Sequence, residues 1–140
     1  MPDIKRYKVQ HHWNADCEVT LEVDHEILTR ERAKEINDFW GDAEYRFRHA
    51  KSDVFAVITL FGQRLIHMMM AEGGSEFGLG HEAADIWSKQ LRAEEGWGGE
   101  PDPAFSSVSE ILHGWCGIRV VAANVEIPSF SDFVLKAIKI

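Results

Sequence analysis

The strongest constraint on the fold is a strict two-residue alternation over the first 24 residues. Tyr7, Val9, His11 and Trp13 alternate with Arg6, Lys8, Gln10 and His12. Cys17, Val19, Leu21 and Val23 alternate with Glu18, Thr20, Glu22 and Asp24. Successive strand side chains point to opposite faces, so each apolar set lines one face of its own strand. A turn over Asn14-Ala15-Asp16 predicts a hairpin in which paired residue numbers sum to about 30. Val9 then faces Leu21 and Tyr7 faces Val23 on the inner side. On the outer side Arg6 meets Asp24, Lys8 meets Glu22 and His12 meets Glu18, so opposite charges face one another.

Three helical segments are expected next. Thr29 is an N-cap residue type, and Ala33, Ile36, Trp40, Ala43 and Phe47 recur at helical spacing, with Gly41 a point of kinking or breakage. Ser52 caps a longer segment whose stripe runs through Val54, Ile58, Phe61, Leu65 and Met68, widened by Val57 and Leu60 and stopped by Gly73-Gly74. The third runs from about His81 to Glu95, with Ala83, Ala84, Trp87 and Leu91 inward. GWGGEPDPAF reads as a loop, and Ser107 with Glu110 has capping-box spacing, predicting a helical turn before His113. Two closing strands are expected, about residues 117–127 and 132–140. The order β-β-α-α-α-β-β gives an α+β fold. Its expected form is an antiparallel sheet of about four strands with helices on one face, residues 1–140 making a single globular domain.

The charge is uneven. Residues 72–110 hold nine acids against Lys89 and Arg92, which is −7 of the net −8. Such a surface repels phosphate, so direct nucleic-acid binding is not expected, whereas a basic protein surface would be attracted. The bland alternative is a solvated face that maintains solubility. No apolar stretch approaches the roughly 20 residues of a membrane span. The N-terminus lacks a signal-peptide core, and two distant cysteines make no disulfide framework. A cytoplasmic protein is the expectation.

Candidate chemistry is sparse. His11, Cys17, His113 and Cys116 would form a two-histidine, two-cysteine set apt for zinc if the closing strands lie beside the hairpin. The bland alternative is buried thiols and backbone-bonded imidazoles. GGSEFGLG precedes a helix, but it follows another helix, lacks a nearby lysine and sits among acids; a flexible connector is expected rather than a phosphate cradle. His81-Glu82 has no third group to orient it. The run Met68-Met69-Met70 spans most of a helix circumference, so one methionine should face solvent or a partner. Trp97 and Trp115 fall in loops, and Trp97 sits within EEGWGGE, so it is either an interface anchor or a hydrophobic plug.

The stretches KRYKV, CEVTLEVDHEILT, KEINDFWGDAE, EEGW, GIRVV and VEIPSFSDFVL resemble a family of small bacterial proteins designated domain of unknown function 2528. The likeness is good at both ends and loose over 72–110. It implies a phage or plasmid setting and supplies no catalytic residues.

The expected function is therefore a non-enzymatic, acidic protein-binding module. Its expected setting is that of a phage or mobile-element accessory protein, such as an anti-defence (anti-CRISPR-like) inhibitor, docking on a basic protein surface. Trp97, Glu94, Glu95, Trp115 and Glu100 are its expected contacts. No cofactor, catalytic residue or membrane is expected. The alternatives are the zinc protein and a homodimer joined through the methionine-bearing helix or an edge strand.

Overall fold

The computed structural model describes residues 1–12 and 16–139. The elements run β1 (Ile4–Gln10), β2 (Cys17–Asp24), α1 (Arg30–Phe39), α2 (Ala43–Ala50), α3 (Asp53–Ala71), β3 (Ser75–Phe77), α4 (Ala83–Arg92), α5 (Val108–His113) and β4 (Ile118–Val125), with short 3-10 turns at Pro103–Phe105 and Phe130–Asp132. The sheet is antiparallel and open, with strand order β1-β2-β4-β3, giving an α+β fold.

The hairpin forms with the expected faces but another register. Tyr7 pairs with Leu21, Val9 with Val19 and Arg6 with Glu22, so paired numbers sum to 28. A slip of two leaves every side chain on its expected face, so apolar alternation cannot distinguish the two registers. The charges do not distinguish them either: Arg6 meets Glu22 instead of Asp24, and Lys8 reaches Glu18 diagonally at 3.3 Å. The expected turn at 14–16 and the inward place of Trp13 fall largely outside the described residues.

The inner face carries Cys17, Val19, Leu21 and Val23 of β2 with Ile118, Val120, Ala123 and Val125 of β4, all buried. A bulge at Val121 adds one residue to β4 between Val120 and Ala122. α3 lies across this layer through Val57, Phe61, Leu65 and Met69, flanked by α1 through Ala33 and Ile36 and by α4 through Ala84 and Leu91. Gly62 permits the closest approach: an added Cβ would fall 2.5 Å from Val9. Met69 is buried while Met68 and Met70 are half-buried, so none of the three is fully exposed. α3 is 19 residues long and apolar enough to cross a membrane by length and composition, contrary to the expectation, and its apolar side supplies the centre of the core.

The first helical segment breaks at Gly41. Asp42 takes a left-handed φ of 66°, and the Arg46 guanidinium turns back to donate to the carbonyls of Asn37 and Trp40, each at 3.0 Å, and of Gly41. These carbonyls lie at a helix end, where the last acceptors lack a full set of intrahelical partners. Phe47, expected inward, is exposed as a result. The Ser52 cap, the Gly73-Gly74 stop and the Ser107–Glu110 capping box occur where expected.

Two sequence expectations fail at the closing edge of the sheet. Residues 133–139 form no strand. The fourth strand is β3, inside the glycine-rich stretch expected to be a connector. Its Phe77 enters the core, its Ser75 accepts from the Trp87 indole N–H at 3.2 Å, and Gly74 lets it approach, since a Cβ there would lie 2.6 Å from the Val125 carbonyl. β2 pairs along one edge of β4, and β3 takes the Ala123–Val125 end of the other, the end from which the chain runs on toward 132–140. The helices also do not all share one face, because α5 meets the side on which Glu22 and Asp24 project.

Candidate functional site

Trp97 is a core residue and not an exposed anchor. It is 0% exposed, edge-on to Phe61 at 5.1 Å and beside Trp40 at 6.1 Å. The cause lies next to it, in Arg92, which is also fully buried. Its guanidinium donates to the carbonyls of Leu112 at 2.9 Å and Ile118 at 3.1 Å and forms a bidentate pair with Glu100 at 2.6 and 2.8 Å. This ties the acidic loop to the start of β4. Gly114, at φ 71°, makes room for it, because a Cβ there would lie 2.7 Å from the arginine.

The other expected contacts divide. Glu100 is engaged by Arg92, and Glu94 pairs with Arg64 at 3.2 Å, whose guanidinium lies 4.2 Å over Trp40. Trp115 is half-buried, with Arg32 4.5 Å from its ring centre and donating to its carbonyl at 3.0 Å; an added Cβ on Gly98 would strike its ring. Glu95 alone of the five is exposed and outside any ion pair.

The four zinc candidates are not brought together. Cys17 pairs with Val125 at one end of β2, whereas Val23 pairs with Ile118 at the other, leaving Cys17 and Cys116 roughly 20 Å apart by strand rise. His11 stays at the Cys17 end and His113 at the Glu22 end. Burial pushes the Cys116 thiol up to about 11, which disfavours the thiolate a metal requires.

Sequence reasoning missed the polar cluster around His113. Glu22, buried despite projecting outward, accepts from Arg6 at 3.0 Å, Arg119 at 2.9 Å and the His113 Nε2 at 2.9 Å. The Nδ1 of His113 lies 2.9 Å from the Ser109 carbonyl, and the Ser109 hydroxyl donates to Asp24. Asp24 also accepts from the backbone N–H of Asp3 and Glu26. Burial opposes ionisation of both carboxyls. It is outweighed at Glu22 by hydrogen bonds from Arg119 and His113 and the Arg119 charge, and at Asp24 by bonds from Ser109, Glu26 and Asp3. Both therefore stay below the usual carboxyl range. The residue types are those of a serine–histidine–acid triad, but the arrangement does not work as one. The hydroxyl proton is committed to Asp24, Glu22 is shared by two arginines, and His113 is 2% exposed. What the cluster does is fasten α5 and the N-terminal residues to one end of the sheet.

A different surface carries accessible chemistry. From the end of α3 to just past α4, Glu72, Glu76, Glu82 and Glu95 are exposed, and the same stretch of chain exposes Leu79 (63%) and Ile86 (61%). Asp85 is partly offset by Lys89, four residues on, at 3.1 Å. Nothing in the sequence pattern marked Leu79 or Ile86, since single exposed aliphatics carry no periodic signal.

The model of the family described as "Protein of unknown function (DUF2528)" matches residues 18–135. Two curated proteins are each 31% identical over 97 residues, covering 69% of this chain and 75% of their own length: protein ea10 of Escherichia phage lambda and the lambda prophage-derived protein ea10 of Escherichia coli O6:H1 (strain CFT073). No solved structure matches. The chain belongs to the DUF2528 family, and its relatives are phage-derived.

Proposed function

We propose that this member of the DUF2528 family is a non-enzymatic binding protein of a phage or other mobile element, acting in the host cytoplasm by docking an acidic surface on a basic protein. The single observation that supports this reading is the exposure of two aliphatics, Leu79 and Ile86, in the same acid-rich stretch of chain that exposes Glu76, Glu82 and Glu95. Aliphatic side chains supply burial at a contact, while the surrounding carboxylates steer a basic partner and reject nucleic-acid phosphate. Relative to the sequence expectation, the anchor moves from Trp97 to Leu79 and Ile86, and Glu95 is retained. An inhibitor of a host defence component is the specific form that fits a phage setting.

The test is capture of host proteins by the immobilised chain at low and high salt, repeated with Glu82→Lys/Glu95→Lys and with Ile86→Asp. A basic protein held at low salt, released at high salt and lost by both variants is the expected result. Equal capture by the charge-reversed variant would refute the electrostatic part, and equal capture by Ile86→Asp would remove the aliphatic anchor.

A further inference from the structure

The chain carries, together, an apolar segment that its own fold leaves uncovered and a groove of matching character. Residues 126–139 are all exposed, with Phe130 at 97% and Leu135 at 98%, alongside Phe133, Val134 and Ile138. The turn at Phe130–Asp132 is fixed by the Ser129 N–H donating to the Asp132 carboxylate at 2.8 Å and the Asp132 N–H donating to the Ser129 carbonyl at 2.9 Å, and 133–139 beyond it is exposed throughout. Its sequence, FVLKAIK, is that of a strand: Phe133, Leu135 and Ala137 fall on one row and Val134, Lys136 and Ile138 on the other. Within its own chain β2 pairs along one edge of β4, and β3 holds the Ala123–Val125 end of the other, the end from which the tail departs.

The groove lies on the far side of the hairpin. A cavity of about 480 Å³ runs between β1 and the α2–α3 pair, walled by Val9, Tyr45, Leu60, Gln63, Ile66 and Met70. β1 is an edge strand, so one wall presents a row of backbone donors and acceptors. The tail leaves the body beside this same end of the sheet: Glu126 N–H donates to Asp16 O at 3.1 Å, and His11 N–H to Cys17 O at 2.8 Å. A twofold axis near that end would carry each tail to the other copy's groove.

We propose that the occupant is a second copy of this chain: each tail adds as a strand to the partner's β1 edge, with Phe133 and Leu135 seated in the groove. This is β-strand addition made reciprocal, so that both edges and both tails are covered at once. Phe133 and Leu135 of each copy enter the partner's groove while the tail backbone pairs along β1, so the apolar row, the groove and the open edge are covered together. The inference is independent of the acidic surface, which lies on other elements.

The mass of the full chain, measured by light scattering at micromolar concentration, tests it. The expected value is that of a dimer. Phe133→Asp/Leu135→Asp should halve the mass and melt cooperatively where the native chain melts when dilute, since both side chains are exposed in the monomer. Thr59→Arg/Gln63→Arg, exposed positions on the groove wall, should halve it as well. A monomeric mass throughout the micromolar range, or a dimer that survives the tail substitutions, overturns the proposal. A dimer that survives only the groove substitutions overturns the groove as the tail's seat.

Discussion

Two segments of this protein exchange the fates their compositions suggest. The loop 96–102 is rich in glycine and acid and ends in proline-containing sequence, yet Trp97 at its start is fully buried. The tail 130–139 has the composition of a core strand, yet it is solvent-exposed along its whole length. The difference lies in what each segment can bond to. Arg92 gives the loop a buried anchor with three acceptor groups, which pulls the neighbouring tryptophan onto Phe61. The tail departs from the end of β4 that β3 already holds, and 133–139 joins no strand of the described sheet. Burial here follows the supply of backbone partners, and apolar content comes second.

The largest expected way to break this comparison is Trp97→Ala. It should cost about 3–5 kcal/mol in urea denaturation, the range for a large aromatic removed from a core, whereas Phe133→Ala should fall within about 0.5 kcal/mol under monomeric conditions. Equal effects would contradict the assignment of one residue to the core and the other to solvent. Next is Glu22→Ala, which strips a shared carboxylate from Arg6, Arg119 and His113 and should cost about 3 kcal/mol.

The same cluster sets an acid limb. Glu22 and Asp24 ionise more readily in the folded protein than in the unfolded chain. Their contribution is fully present above the unfolded carboxyl range, about pH 4–4.5, and is lost as pH falls through the lower folded values. Urea midpoints compared between neutral and acid pH should fall more steeply for the native chain than for Glu22→Gln; parallel curves would place the acid sensitivity elsewhere. The smallest expected effect is Glu82→Lys/Glu95→Lys, which should leave stability within about 0.5 kcal/mol while removing salt-sensitive partner capture.

Local signals in the sequence are legible where one residue type has one job. Ser52 and Ser107 cap helices, glycines end α3, and alternation sorts the faces of β1 and β2. Register slipped by two because neither parity nor charge could distinguish it. The three-residue β3 is too short for any periodic signal, and the strand-like tail was misplaced because a strand's own sequence does not report whether an edge is vacant. The site residues were the least legible. Trp97 reads as a surface anchor until Arg92 is known to be buried, and the Glu22–His113 contact spans 91 positions. One clue was available: the Ser107–Glu110 capping box sets His113 at a helix end, and hairpin pairing sets Glu22 across from a cation.

The comparison between loop and tail is tested most directly by backbone hydrogen exchange, followed from dilute to high micromolar concentration, across the range in which the proposed dimer would form. The account predicts that the amides of 88–94 and of Gly99 are protected at every concentration, whereas those of 133–139 exchange freely when dilute and slow down on association. Fast exchange at Gly99 and over 88–94, or a tail already protected in the dilute monomer, would contradict it.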